Sequence, residues 1–355
     1  VERFITEENK MLKTKAAVLT HLNAPLSIES LIVPDLKVGQ VLVKVIASGI
    51  CGKQIGEING QFGEDKHLPH LLGHEGGGVV DAIGEGVKNV NVGDHVVMHW
   101  RKGVGIEADP PTYFTKYGKP IGAGSVATFT EYAVVSENRL TSISIDIPFY
   151  VAALMGCAIT TAFGLINNEA KLKMGQSIAV YGVGGVGLSI VQGASLVSAN
   201  PIIAIDKVDK KLEIAYNCGA THMLNTNVHN IEYEIFRIVG KGVDVFVDCT
   251  GNVDLISKAY KMTDSTGKTI LVGQPYCDDE LIIPDMQRNY GGKQLFASQG
   301  GLTNPTVDIP RYCKLFKQNK ISTVEIATHF FTLDNINDAL NTVRSGEAGR
   351  CIITM

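Results

Sequence analysis

The sequence predicts an α/β chain in two parts, a compact β-rich unit followed by a doubly wound parallel sheet. Three observations predict it. Residues 14–100 run as short β-rich segments punctuated by glycine and proline, such as Lys15-Ala16-Ala17-Val18-Leu19 and Val41-Leu42-Val43-Lys44-Val45, the texture of a small barrel. From about 175 onward strand-like and helix-length segments alternate, which is the rhythm of a parallel sheet with crossover helices. At the first strand–helix junction of that second part stands a glycine-rich turn, Gly182-Val183-Gly184-Gly185-Val186-Gly187.

Taken in order, the first unit closes with the apolar stretch 145–166. Asp146 and Pro148 interrupt its start, and its small residues and threonines suit an interior helix and loop better than a membrane span. Candidate parallel strands follow at 177–182, 201–206, 221–225, 243–248, 268–273 and 294–298, the first two flanking a helix over 186–197. Six strands in that rhythm place a ligand outside the carboxyl ends of the strands. An amphipathic helix near 309–318 and a last strand over 351–354 are expected to fold back onto the first unit.

Bulk properties narrow the function classes. With 355 residues the chain has room for two domains, each with its own core. A net charge of −4 carries no electrostatic footprint for nucleic acid or an anionic membrane. Seven cysteines without paired spacing argue against a disulfide framework and for a reducing, cytoplasmic setting. Residues 1–10 hold no apolar core of a signal peptide.

The glycine-rich turn has the G-x-G-x-x-G spacing in Gly182, Gly184 and Gly187, after an apolar strand and before a helix. In that context the three glycines serve a tight turn, close backbone approach to a pyrophosphate, and packing of helix on strand. The helix N-terminus, with Gly185 and Val186, supplies free N–H groups for the phosphates. Asp206, nineteen residues beyond Gly187, ends the second strand and is placed to accept from an adenosine ribose, which favours NAD over a 2′-phosphorylated cofactor.

Outside this unit, Cys51, His74 and Cys157 sit in Gly49-Ile50-Cys51-Gly52, Gly73-His74-Glu75-Gly76 and Leu154-Met155-Gly156-Cys157. Two thiolates and an imidazole make a three-ligand zinc set with an open position for water or substrate oxygen. Taken singly, each reads better as a core residue, because the three lie far apart in sequence.

These segments together resemble the zinc-containing alcohol dehydrogenases of the medium-chain dehydrogenase/reductase superfamily. The resemblance runs from Lys15 to Arg350, and its most specific pieces are 73–75, Gly93-Asp94-His95-Val96-Val97 and 156–187. It implies a GroES-like catalytic domain over 1–160, a Rossmann dinucleotide-binding domain over 161–299, and a C-terminal segment, 300–355, returning to the catalytic domain. It implies hydride transfer between an alcohol and NAD at one catalytic zinc held by Cys51, His74 and Cys157. Glu75 matches a carboxylate that approaches the metal during ligand exchange, and Thr161 a side chain packed on the nicotinamide. Asp206 and Lys211 match ribose contacts, and Arg350 a pyrophosphate contact. Trp100 matches a residue of the substrate channel, with Phe129 a looser candidate for the same wall; both read equally as core aromatics. The resemblance also implies a homodimer formed through the Rossmann sheets.

Two departures bear on chemistry. The stretch 99–111, where relatives bind a structural zinc through four cysteines, contains none, so that second site is expected to be absent. After Cys51 the chain reads Gly52-Lys53-Gln54, with Gly56 further on, where relatives carry a hydroxyl, an aspartate and a relay histidine. Three roles stay open for Lys53: a neutral amine relaying the substrate proton, a charged anchor for an anionic substrate, or no role. Arg101 and Lys102 beside Trp100 add a lean toward an anionic or sugar-like alcohol. A zinc-independent reductase and a non-catalytic dinucleotide-binding protein are the rival readings.

Overall fold

A computed structural model describes residues 11–283 and 286–355; the signal-peptide expectation falls on residues 1–10, outside them. The β-rich unit holds a closed barrel of Lys13–Leu19, Ser27–Ile32, Thr112–Thr115, Pro120–Gly122 and His70–Leu71. Beside it lies a second, largely antiparallel sheet whose spine is the long strand Gln40–Ile50. That strand pairs with Glu75–Ile83 and Tyr132–Ser136. Val41, Val43 and Val45, alternating along it, are buried in one apolar cluster, the period-two pattern of a strand with one face on a core.

The last strand, Arg350–Thr354, lies antiparallel to this spine, with Cys351 opposite Ile50. The chain's end therefore returns to the sheet that carries Cys51. The helix before that strand, Ile336–Ser345, stops at Gly346 in the left-handed region (φ 78°), a conformation glycine takes without steric cost.

The second unit is a six-stranded sheet in the order His222–Asn225, Ile202–Asp206, Ile178–Tyr181, Val243–Asp248, Thr263–Leu271, Gln294–Ala297, every pairing parallel. Strand order reverses beside Ile178–Tyr181, the point at which such sheets open a crevice for ligand. One apolar core joins the two units, with Ala47 and Val97 on one side and Val180 and Val191 on the other.

Three elements differ from expectation. The stretch 145–166 is two short helices, Phe149–Met155 and Ala158–Gly164, bent by 44° at Gly156–Cys157; among the described residues no single helix is long and apolar enough to cross a membrane. A Cβ on Gly156 would stand 2.9 Å from Glu75 Cα, so the glycine lets this break press against the strand holding Glu75. The expected domain boundary at 160/161 falls inside Ala158–Gly164. The fifth strand begins at Thr263 rather than 268, its register against Val243–Asp248 shifting between Val243 and Val245; this irregularity takes up residues 264–267.

Candidate active site

Each of the three metal-ligand candidates sits where regular structure stops. Cys51 ends the spine strand and caps the helix Gly52–Ile58. His74 lies between Gly73 (φ 91°) and the strand Glu75–Ile83; a Cβ at 73 would meet Phe129 Cδ1 at 2.8 Å, so glycine is required to turn the chain there. Cys157 occupies the break between the two short helices, with φ −148° and ψ −65°. Their ligand atoms all lie within 4.8 Å of one another, a spacing that small side-chain shifts close around an ion ~2.0–2.3 Å from each donor.

The polar accounting fits a cation. His74 Nε2 is buried without a hydrogen-bond partner, a place an ion would complete once that nitrogen offers its lone pair. A hydrogen bond from Cys157 is the main reason the Cys51 thiol is held well below the ordinary range, with Arg350 and His74 adding to it. The same hydrogen bond raises Cys157. The direction of these shifts favours the thiolate at Cys51, the form that binds metal. Behind His74, Gln54 Nε2 lies 2.6 Å from His74 Nδ1, while Gln54 Oε1 accepts the Cys51 backbone N–H at 2.9 Å.

Glu75 is fully buried. Its Oε2 accepts the Ala158 N–H at 3.3 Å, and its Oε1 is 3.4 Å from Arg350 Nε. Burial raises the carboxyl above its usual range, against the pull of Arg350. Arg350 links this corner to the glycine turn: Nη1 donates to Ile50 O at 2.9 Å, and a Cβ on Gly185 would stand 2.7 Å from Nε. Its Nη2 is buried without a partner. A guanidinium with a free donor against the N-terminus of Gly185–Leu196 fits a pyrophosphate.

The turn itself carries the other requirements. Gly182 has φ 81°, and a Cβ on Gly187 would collide with Gly182 O; around Gly184 a Cβ would meet nothing within 4 Å, leaving room for a ligand. Thr161 is buried one helical turn beyond Cys157. Asp206 is fully engaged. It accepts N–H groups from Val183, Lys207 and Val208 at 3.0, 2.8 and 3.1 Å and the Lys211 ammonium at 2.8 Å. Four donors fill a carboxylate.

Beside the metal corner opens a cavity of about 680 Å³ lined by Lys53, Glu57, Phe62, His70, Leu72 and His74 among others. Lys53 Nζ rests 3.2 Å from the Phe62 ring centroid and makes no ion pair among the described residues. Burial lowers its ammonium pKa, while nearby Glu57 and Cys51 resist. Burial is also the largest influence on Glu57, raising its carboxyl. At Gly56 a Cβ would meet Gln61 Oε1 at 2.5 Å and Phe62 Cε2 at 2.9 Å, so a larger residue there would have to push these side chains aside. Phe62 and Gln61 fill the space in which a larger side chain would have to sit.

Trp100 and Phe129 are not among the residues lining this cavity. The Trp100 ring lies over Gly300, and Arg101 beside it donates to Gln299 O and, at 3.0 Å, to Thr303 O. Phe129 is fully buried in the apolar cluster with Ile50 and Leu72. Sequence reading missed Glu57, Phe62 and the Asp65–His70 pair (2.7 Å). Only Glu57 left a signal, four residues beyond Lys53 and so on the same helix face.

Residues 37–145 match the alcohol dehydrogenase GroES-like domain and residues 185–315 the zinc-binding dehydrogenase family. The chain is 31% identical to the S-(hydroxymethyl)glutathione dehydrogenase of Synechocystis sp., over 96% of this chain and all of that protein. An alcohol dehydrogenase zinc-binding domain protein from Burkholderia ambifaria superposes with a TM-score of 0.90 at 28% identity, covering 98% of this chain and all of that one. Benzyl alcohol dehydrogenase from Acinetobacter calcoaceticus does so at 0.88 and 27%, covering 97% and 100%. The ligand corner, the glycine turn and these likenesses agree: the chain belongs to the zinc-containing alcohol dehydrogenases of the medium-chain dehydrogenase/reductase superfamily, NAD-dependent oxidoreductases acting on alcohols.

Proposed function

We propose that this dehydrogenase acts on a polar alcohol carrying an anionic group, or on the matching carbonyl, bound in the cavity beside His74. Lys53 carries this reading. Its ammonium faces that cavity, is steadied by the Phe62 ring and has no carboxylate within ion-pair distance among the described residues. A cation–π contact favours the charged form, so the anchor is the best supported of the three roles open to Lys53. Zinc, held by Cys51, His74 and Cys157, supplies Lewis acidity to the substrate oxygen when bound.

The chain's own residues do the rest. Arg350 and the N–H groups at the start of Gly185–Leu196 bind the cofactor's pyrophosphate, Thr161 bounds the nicotinamide side, and Asp206 with Lys211 takes the ribose. Glu57 receives the substrate proton at its carboxylate, either directly or through one water. Burial raises its carboxyl above the ordinary range, which makes it a stronger base.

A paired substitution tests these roles. Lys53→Met raises KM for anionic alcohols while sparing kcat and neutral alcohols. Glu57→Gln lowers kcat roughly 10²–10⁴-fold and removes the acidic limb of the pH profile. S-(hydroxymethyl)glutathione, for which the Synechocystis relative is named, belongs in the panel. Equal effects of Lys53→Met on neutral and anionic alcohols contradict the anchor.

Three further proposals concern setting. A second, structural zinc is absent, since 99–111 offers no thiolate. The chain is a homodimer, because the parallel sheet ends in the one-sided strand Gln294–Ala297, an edge that pairing would cover; a monomeric mass in light scattering contradicts it. The setting is cytoplasmic, in keeping with seven free cysteines; a disulfide in the native protein contradicts it.

A further inference from the structure

The amide of Gln54 faces two groups whose demands conflict once metal is present. The Cys51 backbone N–H is a donor in every state, so the atom it meets at 2.9 Å must be Gln54 Oε1. The amide is thereby oriented, and the atom 2.6 Å from His74 Nδ1 must be Nε2, a donor. A neutral imidazole accepting at Nδ1 carries its proton on Nε2. One His74 ring nitrogen lies within 4.8 Å of the Cys51 and Cys157 sulfurs; Nδ1 is taken by Gln54, so the nitrogen left for them is Nε2, buried and without a partner. An imidazole that ligates through Nε2 needs the opposite arrangement, a lone pair on Nε2 and the proton on Nδ1, where it would meet the N–H of Gln54 head-on.

We propose that Gln54 works against zinc binding: it holds His74 in the tautomer whose metal-facing nitrogen is protonated, so that loading the metal forces the amide to turn over and to surrender the Cys51 N–H. The centre is therefore a weak, exchangeable one. A carboxylate of the same length at position 54 accepts from both groups at once, removing the conflict. A hydrocarbon there removes the opposing donor without adding charge. The inference rests on the zinc reading of Cys51, His74 and Cys157.

The test is zinc affinity by competition with a chromophoric chelator for wild type, Gln54→Glu and Gln54→Leu, each checked for an unchanged thermal midpoint. The expected result is at least ~10-fold tighter binding for Gln54→Glu and binding by Gln54→Leu no weaker than wild type. A supporting amide would instead lose ~10–100-fold on Gln54→Leu, the usual cost of deleting a partner behind a metal ligand. That loss, or a Gln54→Glu no tighter than wild type, overturns the proposal. Nitrogen-15 spectra of the metal-free protein give a readout independent of loading: His74 protonated on Nε2 in wild type and on Nδ1 in Gln54→Glu supports it, and Nδ1 protonation in wild type overturns it. Wild type that binds no zinc at all, with the expected tautomers, overturns the zinc reading and the exchangeable centre together.

Discussion

The metal corner and the loop 99–111 stand on neighbouring strands and treat their carboxylates in opposite ways. At the corner, His74 Nε2, Glu75 Oε1 and Arg350 Nη2 are buried without hydrogen-bond partners. At the loop, in Glu107 and in Glu137 packed against it, carboxylates are filled from within the chain, although Asn138 Oδ1 and Arg139 Nε there are buried without partners. Glu137 accepts the N–H groups of Lys88, Asn89 and Ile106 at 2.6, 2.8 and 2.7 Å. Glu107 takes Arg139 at 2.8 Å, Asn138 at 2.6 Å and Lys102 at 3.3 Å, and despite some burial these donors hold its carboxyl down to about 2. Buried polar groups left open mark where a ligand completes the structure, and groups closed on one another mark where the fold needs none.

The sharpest way to break this comparison is to remove one ligand from the open side. Cys157→Ser is expected to lose zinc and activity together, by more than the ~10–100-fold that outer partners cost. The exposed Cys277, replaced by serine, changes neither. Metal retained by Cys157→Ser places the ion elsewhere.

On the closed side the cost is stability. Glu137→Ala strips three N–H groups of their acceptor, and the expected loss is about 2–4 kcal/mol in denaturant unfolding, with kcat of the folded fraction unchanged. A loss below roughly 0.5 kcal/mol would show that water replaces the carboxylate freely.

A subtler probe is His99, whose Nδ1 bonds Arg101 O at 2.7 Å and whose Nε2 lies 3.0 Å from Thr141 Oγ1. Burial pushes its pKa down to about 4. A depressed histidine binds its proton more readily when unfolded, so stability is constant above pH ~6.5, falls as pH drops from there to about 4, and levels off below. The size is on the order of 3 kcal/mol, and His99→Gln is expected to flatten that stretch of the stability–pH curve.

What was legible in the sequence follows the same divide between local and distant causes. The strand 178–181, Gly182, Gly187 and Asp206 are separated by short chain segments whose backbone demands are local, and they lie where the spacing placed them. Cys51, His74 and Cys157 were readable as residue types, but their approach within 4.8 Å depends on where a strand ends, a glycine turns and a helix breaks. Contacts across the fold left no trace. Nothing near Trp100 announces that Gly300 would receive its ring, and nothing near Gly56 announces Phe62. Gln54 was visible only as the residue standing where relatives carry an aspartate, whereas its contact with His74 and the polarity of that contact came with the Cys51 N–H on its amide oxygen.

The central claim is that the open corner holds one zinc and the closed loop none. Elemental analysis of protein purified without chelators, on wild type and Cys157→Ser in parallel, tests it most directly. One zinc per chain in wild type and none in the variant is the predicted result. Two zincs in wild type, or one persisting in Cys157→Ser, would contradict it.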